Sequence, residues 1–273
     1  MYSPHTTHAT AGFAAPGFAA PGFFPALPVT VKQVISDCAS PRTGTLPQCS
    51  GCSLRTQCLP VGLNQTQATS LDTLVQTRKK VRRGESLFRS GDAFASLYVV
   101  RSGFFKTRVA TADGRDQVSG FQMAGDMLGI DGIGAAQHGC DAIALEDSEV
   151  CVIRYARLTQ MTHQIPALQH HFHQIMSREI VREHGIMLLL GSLRAEERLA
   201  SFLLNLSQRF TARGYSACEF LLRMTREEIG SYLGLKLETV SRAFSKFQQD
   251  GFLSVQQKHI RIDDAAGLKS VLG

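Results

Sequence analysis

An α+β chain is predicted: a rolled, jelly-roll-like β-sheet, then one long helix, then a smaller domain of short helices closed by two strands. Three observations carry this expectation. Gly84, Gly91, Gly103, Gly114 and Gly125 punctuate short apolar runs such as Ser96-Leu-Tyr-Val-Val-Arg101, the mark of short strands joined by turns. After Pro166 a stretch interrupted only by Gly185 and Gly191 carries apolar residues at helical spacing through Leu206. From there to the end, helix signals alternate with turns and finish in two strand-like runs, 251–255 and 259–262.

Taken in order, residues 1–36 read as a disordered tail, because they repeat Ala-Ala-Pro-Gly-Phe twice and hold too few aliphatic side chains to order themselves. The first thirty residues carry no Lys or Arg, so the charged start of a secretory signal is missing, and no run of eighteen apolar residues follows that would cross a membrane. With 273 residues, 44% of them hydrophobic, the chain can bury one large core or two ordinary ones. Seven cysteines in such a chain point to the reducing cytoplasm, where clustered thiols do metal or redox work. The net charge of +6 suits a polyanionic partner without requiring one.

Residues 37–165 form the cysteine-bearing segment and the roll. Cys49, Cys52 and Cys58 stand at C-x2-C-x5-C spacing, and soft thiolates so close together select zinc or an iron-sulfur cluster. A structural zinc site would close with a second nearby pair, and none follows. One distant thiol must complete the set, from Cys140, Cys151 or Cys218. Cys151 sits in the apolar run Glu149-Val150-Cys151-Val152-Ile153, where it also reads as a buried core thiol.

Residues 166–191 form the long helix, with a break near Gly191 and a second helix from about Arg194. Met176, Ile180, Glu183, Met187 and Leu190 recur at steps of four, three, four and three, the seam of a short parallel coiled coil. A homodimer is expected there, and a marginal one, because Glu183 would face its own copy. His170, His171, His173 and His184 on the same helix read as a solvated face.

Residues 192–273 have the order of a winged helix-turn-helix. Thr225-Arg226-Glu227-Glu228 is a capping box, Ile229 and Leu233 face inward, Gly234 makes the turn, and a second helix runs over 236–249. Val240, Phe244 and Phe247 bury its inner face, leaving Glu238, Ser241, Arg242 and Ser245 outside. That outer face suits a major groove: Arg bonds guanine O6 and N7 together and Glu accepts from cytosine N4. Lys258 and Arg261 on the terminal hairpin would contact phosphates, which position without specifying sequence.

At these residues a resemblance becomes specific. Met224-Thr-Arg-Glu-Glu-Ile-Gly-Ser-Tyr-Leu-Gly-Leu-Lys-Leu-Glu-Thr-Val-Ser-Arg242 resembles the helix-turn-helix of the CRP/FNR superfamily of bacterial regulators, and Glu238, Ser241 and Arg242 match the Glu-x-x-Ser-Arg pattern of its FNR branch. The C-x2-C-x5-C triplet plus one cysteine late in the roll is similar to that branch's cluster pattern, which implies Cys49, Cys52, Cys58 and Cys151 as ligands of an oxygen-labile 4Fe-4S cluster. Ten residues separate Cys38 from Cys49, and it stays outside the set. The resemblance further implies a sensory β-roll, a dimerisation helix and a winged helix-turn-helix DNA-binding domain. It implies a cluster that promotes dimerisation and binding to a TTGAT-N4-ATCAA-like site on double-stranded DNA, control of anaerobic genes, and contact with RNA polymerase through loops such as Asp113-Gly114-Arg115-Asp116. Gln57, beside Cys58, would shield the cluster less than an aliphatic residue.

Other functions find less support. In the nucleotide-binding branch of the superfamily a Gly-Glu and a later Arg-Ser hold ribose and phosphate; here the stretches are Gly125-Asp126 and Gly139-Cys140-Asp141, with no arginine and a repelling Asp141, so no cyclic nucleotide is expected. Zinc or direct thiol oxidation would keep the fold and change the switch. No Gly-rich phosphate loop, H-E-x-x-H or G-x-S-x-G is present, so no enzyme is expected. The basic run Arg78-Lys79-Lys80-Val81-Arg82-Arg83 reads as a solvated edge.

Overall fold

The computed structural model describes residues 48–110, 114 and 116–273; the expected tail, Cys38 and most of the loop around Asp113 lie outside them. A short helix α1 (Gln65–Ser70) and a 3-10 turn follow the cysteine segment. The glycine-punctuated stretch then folds into β1 (Val75–Val81), β2 (Ser86–Phe88), β3 (Ser96–Ser102), β4 (Phe104–Ala110), β5 (Asp116–Met123), β6 (Met127–Leu128), β7 (Asp141–Ala144) and β8 (Ser148–Arg154). They pair antiparallel in two four-stranded sheets, ordered β1-β8-β3-β6 and β2-β7-β4-β5. Alternate side chains turn inward, as a strand period of two requires. Val81, Val100 and Val150 from one sheet meet Leu87, Phe105, Ala142 and Ala144 from the other in a shared core, which is the expected roll.

Between the roll and the long helix stands α2 (Tyr155–Gln164), a helix absent from the sequence reading, which ran the roll to 165. It buries only Leu158 and Thr162, too thin a stripe to register as periodicity. Ile165 then turns extended, as the residue before a proline must, and Pro166 opens α3 (Pro166–Ser192) at its first turn, where no N–H is needed. A break at Leu193 separates it from α4 (Ala195–Thr211).

β9 (Glu219–Leu221), α5 (Arg226–Leu233), α6 (Leu237–Gln249), β10 (Leu253–Gln256), β11 (His259–Ile262) and α7 (Ala265–Ser270) complete the winged domain, whose sheet runs β10-β11-β9. The core of this domain does not stop at its own boundary. Phe104, Val118, Phe121 and Met123 of the roll share one hydrophobic cluster with Leu203, Ile229, Val240 and Phe244. The rings of Phe121, Phe202 and Tyr232 meet at 5.1 to 6.0 Å, tying β5, α4 and α5 together. No helix among the described residues is long and apolar enough to cross a membrane.

Candidate metal centre and nucleic-acid interface

The cysteine segment is a run of tight turns. Cys52 N–H donates to the Cys49 carbonyl, Arg55 to Cys52, Gln57 to Leu54 and Val61 to Cys58, all at 2.9 to 3.3 Å. Asp72 anchors the start of the run by accepting from the Ser50 amide at 2.9 Å and its hydroxyl at 2.7 Å. Successive turns fold the three thiols back on one another. Cys151 comes from β8, held between Arg78 of β1 and Val99 of β3, so two strand ladders fix its direction.

Cys49, Cys52, Cys58 and Cys151 line one cavity whose other walls include Leu59, Val75, Val99 and Ile153. Cys140 belongs to the core between the two sheets, where its thiol donates to Asp131 at 3.6 Å, and Cys218 is exposed on the winged domain. Burial, followed by the neighbouring Cys151, pushes the Cys49 thiol up to about 12. Burial also pushes Cys58 and Cys151 up, although Arg78 draws Cys151 back. Arg78 and Arg101 both reach the cavity wall, so positive charge stands where thiolate charge would gather. Among the described residues no three His, Cys, Asp or Glu close on a point as the ligands of a single ion do. Four thiols on one largely apolar cavity are the soft donor set that zinc or an iron-sulfur cluster takes.

Two connections leave this site. Gln57, beside Cys58, donates from its side-chain amide to the carbonyl of Ala212, just past the end of α4, at 3.0 Å. His171 corrects the expected solvated histidine face, since it is buried against the cysteine segment while His170, His173 and His184 are exposed. Neither contact is visible in local sequence spacing, because each joins residues more than a hundred positions apart.

The helix-turn-helix is built as the caps of α5 dictate. Glu228 N–H donates to Thr225 Oγ1 at 3.1 Å while Thr225 N–H donates to Glu228 Oε2 at 2.6 Å, starting α5. Gly234 ends it in the left-handed region at φ 61°, and at Gly230 a Cβ would fall 2.6 Å from the Leu235 carbonyl, so only glycine lets the turn close this tightly. α6 buries Val240, Ala243, Phe244 and Phe247 and leaves Glu238 and Arg242 exposed with Ser241 half-buried. On the wing, Lys258 is half-buried and donates to the Arg223 carbonyl at 3.3 Å. Arg261 is exposed but its guanidinium pairs Asp263 at 2.6 Å and Ser254 at 3.2 Å, which offsets part of the charge offered to a phosphate.

The five seam residues divide. Ile180 and Met187 stand 57% and 61% exposed, with Val181 and Leu188 beside them, an apolar helix face uncovered in the single chain. Met176 leans on the core beneath the cysteine segment and Leu190 on the winged domain's core. Glu183 is exposed, and burial of its stem followed by repulsion from Glu179 raises its carboxyl above the usual range.

The pair of aspartates read as a degenerate nucleotide pocket is engaged elsewhere. Asp141 pairs Arg108 at 2.7 Å, and Asp126 binds Arg209 and Arg213 of α4 and the turn beyond it.

Residues 78–164 match the cyclic nucleotide-binding domain and residues 197–271 the Crp-like helix-turn-helix domain. The chain is 47% identical to the transcriptional regulatory protein btr of Bordetella pertussis, over 82% of this chain and 93% of that protein. It is 41% identical to the fumarate and nitrate reduction regulatory protein of Escherichia coli K12, over 84% of this chain and 92% of that one. Among solved structures it is similar to FixK2 from Bradyrhizobium japonicum, with a TM-score of 0.67 and 28% identity over 72% of this chain and 97% of that one.

Proposed function

Because the chain belongs to the CRP/FNR family, as a DNA-binding transcription regulator of the FNR type and not an enzyme, we propose that it senses oxygen through a 4Fe-4S cluster held by Cys49, Cys52, Cys58 and Cys151. The observation that carries this reading is the convergence of a loop triplet and a strand thiol on one cavity, whose wall residues Leu59, Val75 and Ile153 pack in one cluster with Leu168 and Phe172 of α3. When bound, the cluster supplies iron that oxygen attacks. The chain's own residues do the rest. Three turns and a strand hold the sulfurs, Arg78 and Arg101 offset their charge, and apolar walls limit water. The engaged Asp126 and Asp141 favour a regulator that binds no cyclic nucleotide. Anaerobic purification tests the assignment: brown protein with iron and sulfide in equal amounts supports it, and a colourless zinc protein overturns it.

In this reading ligation favours a homodimer along α3, and the dimer alone sets two copies of α6 one DNA turn apart on a TTGAT-N4-ATCAA-like site, where the regulator meets RNA polymerase and controls anaerobic genes in the cytoplasm. Moving a population from mostly monomer to mostly dimer takes only about 5.5 kcal/mol, within reach of one ligated loop. Glu183 tunes that balance. Burial and repulsion from Glu179 already raise its carboxyl above the usual range in one chain, and a facing copy would add repulsion. Glu183→Ala is expected to tighten the cluster-free dimer by roughly tenfold or more, read by sedimentation; a variant as monomeric as the parent would remove Glu183 from the seam.

Arg242 and Glu238 project from the first turns of α6, the end that enters a groove first. Arg242→Ala is expected to cost about 1–3 kcal/mol of specific binding and to relax preference at one base pair, with cluster content unchanged. A loss equal on all sequences, with the salt dependence of binding made shallower, would mark Arg242 as a phosphate contact instead. Lys258→Ala should give that second pattern.

A further inference from the structure

His171 sits on α3 with only 4% of its surface exposed. Its Nε2–H donates to the carbonyl oxygen of Cys58 at 3.2 Å, which leaves Nδ1 an acceptor and requires the Gln174 amide, 3.3 Å away, to turn its NH2 toward that nitrogen. A neutral imidazole has one N–H to give, so directing it at this carbonyl uses the ring's whole donor capacity. Leu168 and Phe172, on the same side of α3, pack in one cluster with Leu59, the residue after Cys58. Cys58 therefore faces two ways: its sulfur lines the cysteine cavity and its carbonyl is held by the long helix.

We infer that His171 is a positioning residue that passes the state of Cys58 to the dimerisation helix, an inference that rests on the cluster reading above. With the Cys58 sulfur ligated, its carbonyl is a fixed acceptor and the first half of α3 is seated against the loop. With the sulfur released, the turns around Cys58 relax, the buried N–H of His171 loses its partner, and α3 loses a directional contact that helps set its angle. A buried donor without an acceptor is costly enough to change an equilibrium about tenfold. The neighbouring Gln57 reaches the residue after α4, whereas His171 is the hydrogen-bonded link from Cys58 to the dimer helix, beside the apolar contact of Leu59 with Leu168 and Phe172.

The dimer dissociation constant of the full chain is measured anaerobically by sedimentation, with and without the cluster, and iron and sulfide are assayed on the same samples. His171→Phe keeps a ring of similar size and removes the donor; His171→Gln keeps an amide donor. The phenylalanine variant is expected to hold parent levels of iron and sulfide while the factor by which loading tightens the dimer falls about tenfold. The glutamine variant is expected to recover most of that factor. A phenylalanine variant with the parent's full loading effect overturns the inference and leaves the cluster reading intact. So does loss of iron in step with loss of dimer in both variants, since His171 would then only build the loop. A parent that binds iron yet dimerises equally with and without it overturns the cluster-coupled reading, and this inference with it.

Discussion

Cys151→Ala is expected to bring bound iron and sulfide to background, as fully as Cys52→Ala, while Cys140→Ala and Cys218→Ala stay near the parent. Three loop thiols leave one coordination position unfilled, and the strand thiol is the fourth on the cavity wall. Cys140 cannot substitute, because it lies in the core between the sheets and its proton is directed at Asp131. Cys218 is exposed on another domain. The fold should survive, since trimming a half-buried thiol to a methyl removes little buried surface and costs on the order of 1 kcal/mol. Unchanged circular dichroism with absent iron therefore separates a lost ligand from a lost structure. Assembly should also weaken as pH falls, because each thiol must release a proton to bind iron and burial holds the Cys49 proton up to about 12. A Cys151 variant that keeps its iron would sink the ligand set.

What the sequence made legible was what short-range chemistry decides. The Thr225 to Glu228 box, the left-handed Gly234 and the inward Phe244 and Phe247 are each set within a turn or two of helix, and all stand where the pattern puts them. The roll was readable because turns and alternation are local too. Contacts that depend on the tertiary path were not. His171 reads as solvated from its charged and polar neighbours, yet the cysteine segment folds over it. Residues 125 and 126 read as a pocket missing its arginine, yet Asp126 meets two arginines more than eighty positions away. The seam spacing picked out Ile180 and Met187, but Leu190 lies where α3 passes from the roll to the winged domain and turns onto that domain's core.

That unforeseen junction carries the second large effect. Asp126 accepts from Arg209 at 2.6 Å, Arg213 at 2.7 Å and the Met123 amide at 2.8 Å, and the same two arginines donate to the carbonyls of Phe121 and Ala124. Burial on its own would raise the carboxyl, but the facing Arg209 and Arg213 guanidiniums overcome it and hold it at about 2. Asp126→Ala leaves both guanidiniums, 18% and 11% exposed, facing each other without a counter-charge. Removing one partner of a buried pair costs about 3–5 kcal/mol, and Tm is expected to fall by roughly 6–20 °C. The pH dependence gives an independent reading. A folded value held below the unfolded one, near 3.9, contributes stability that is present above pH 4 and is lost as pH falls through about 2. The contribution is about 2 kcal/mol, and Asp126→Asn, which keeps the shape and cannot ionise, should flatten the acid limb between pH 4 and 2. Parent-like melting of the alanine variant, together with an unchanged acid limb in the asparagine variant, would show that the roll and the winged domain are held together without this carboxylate.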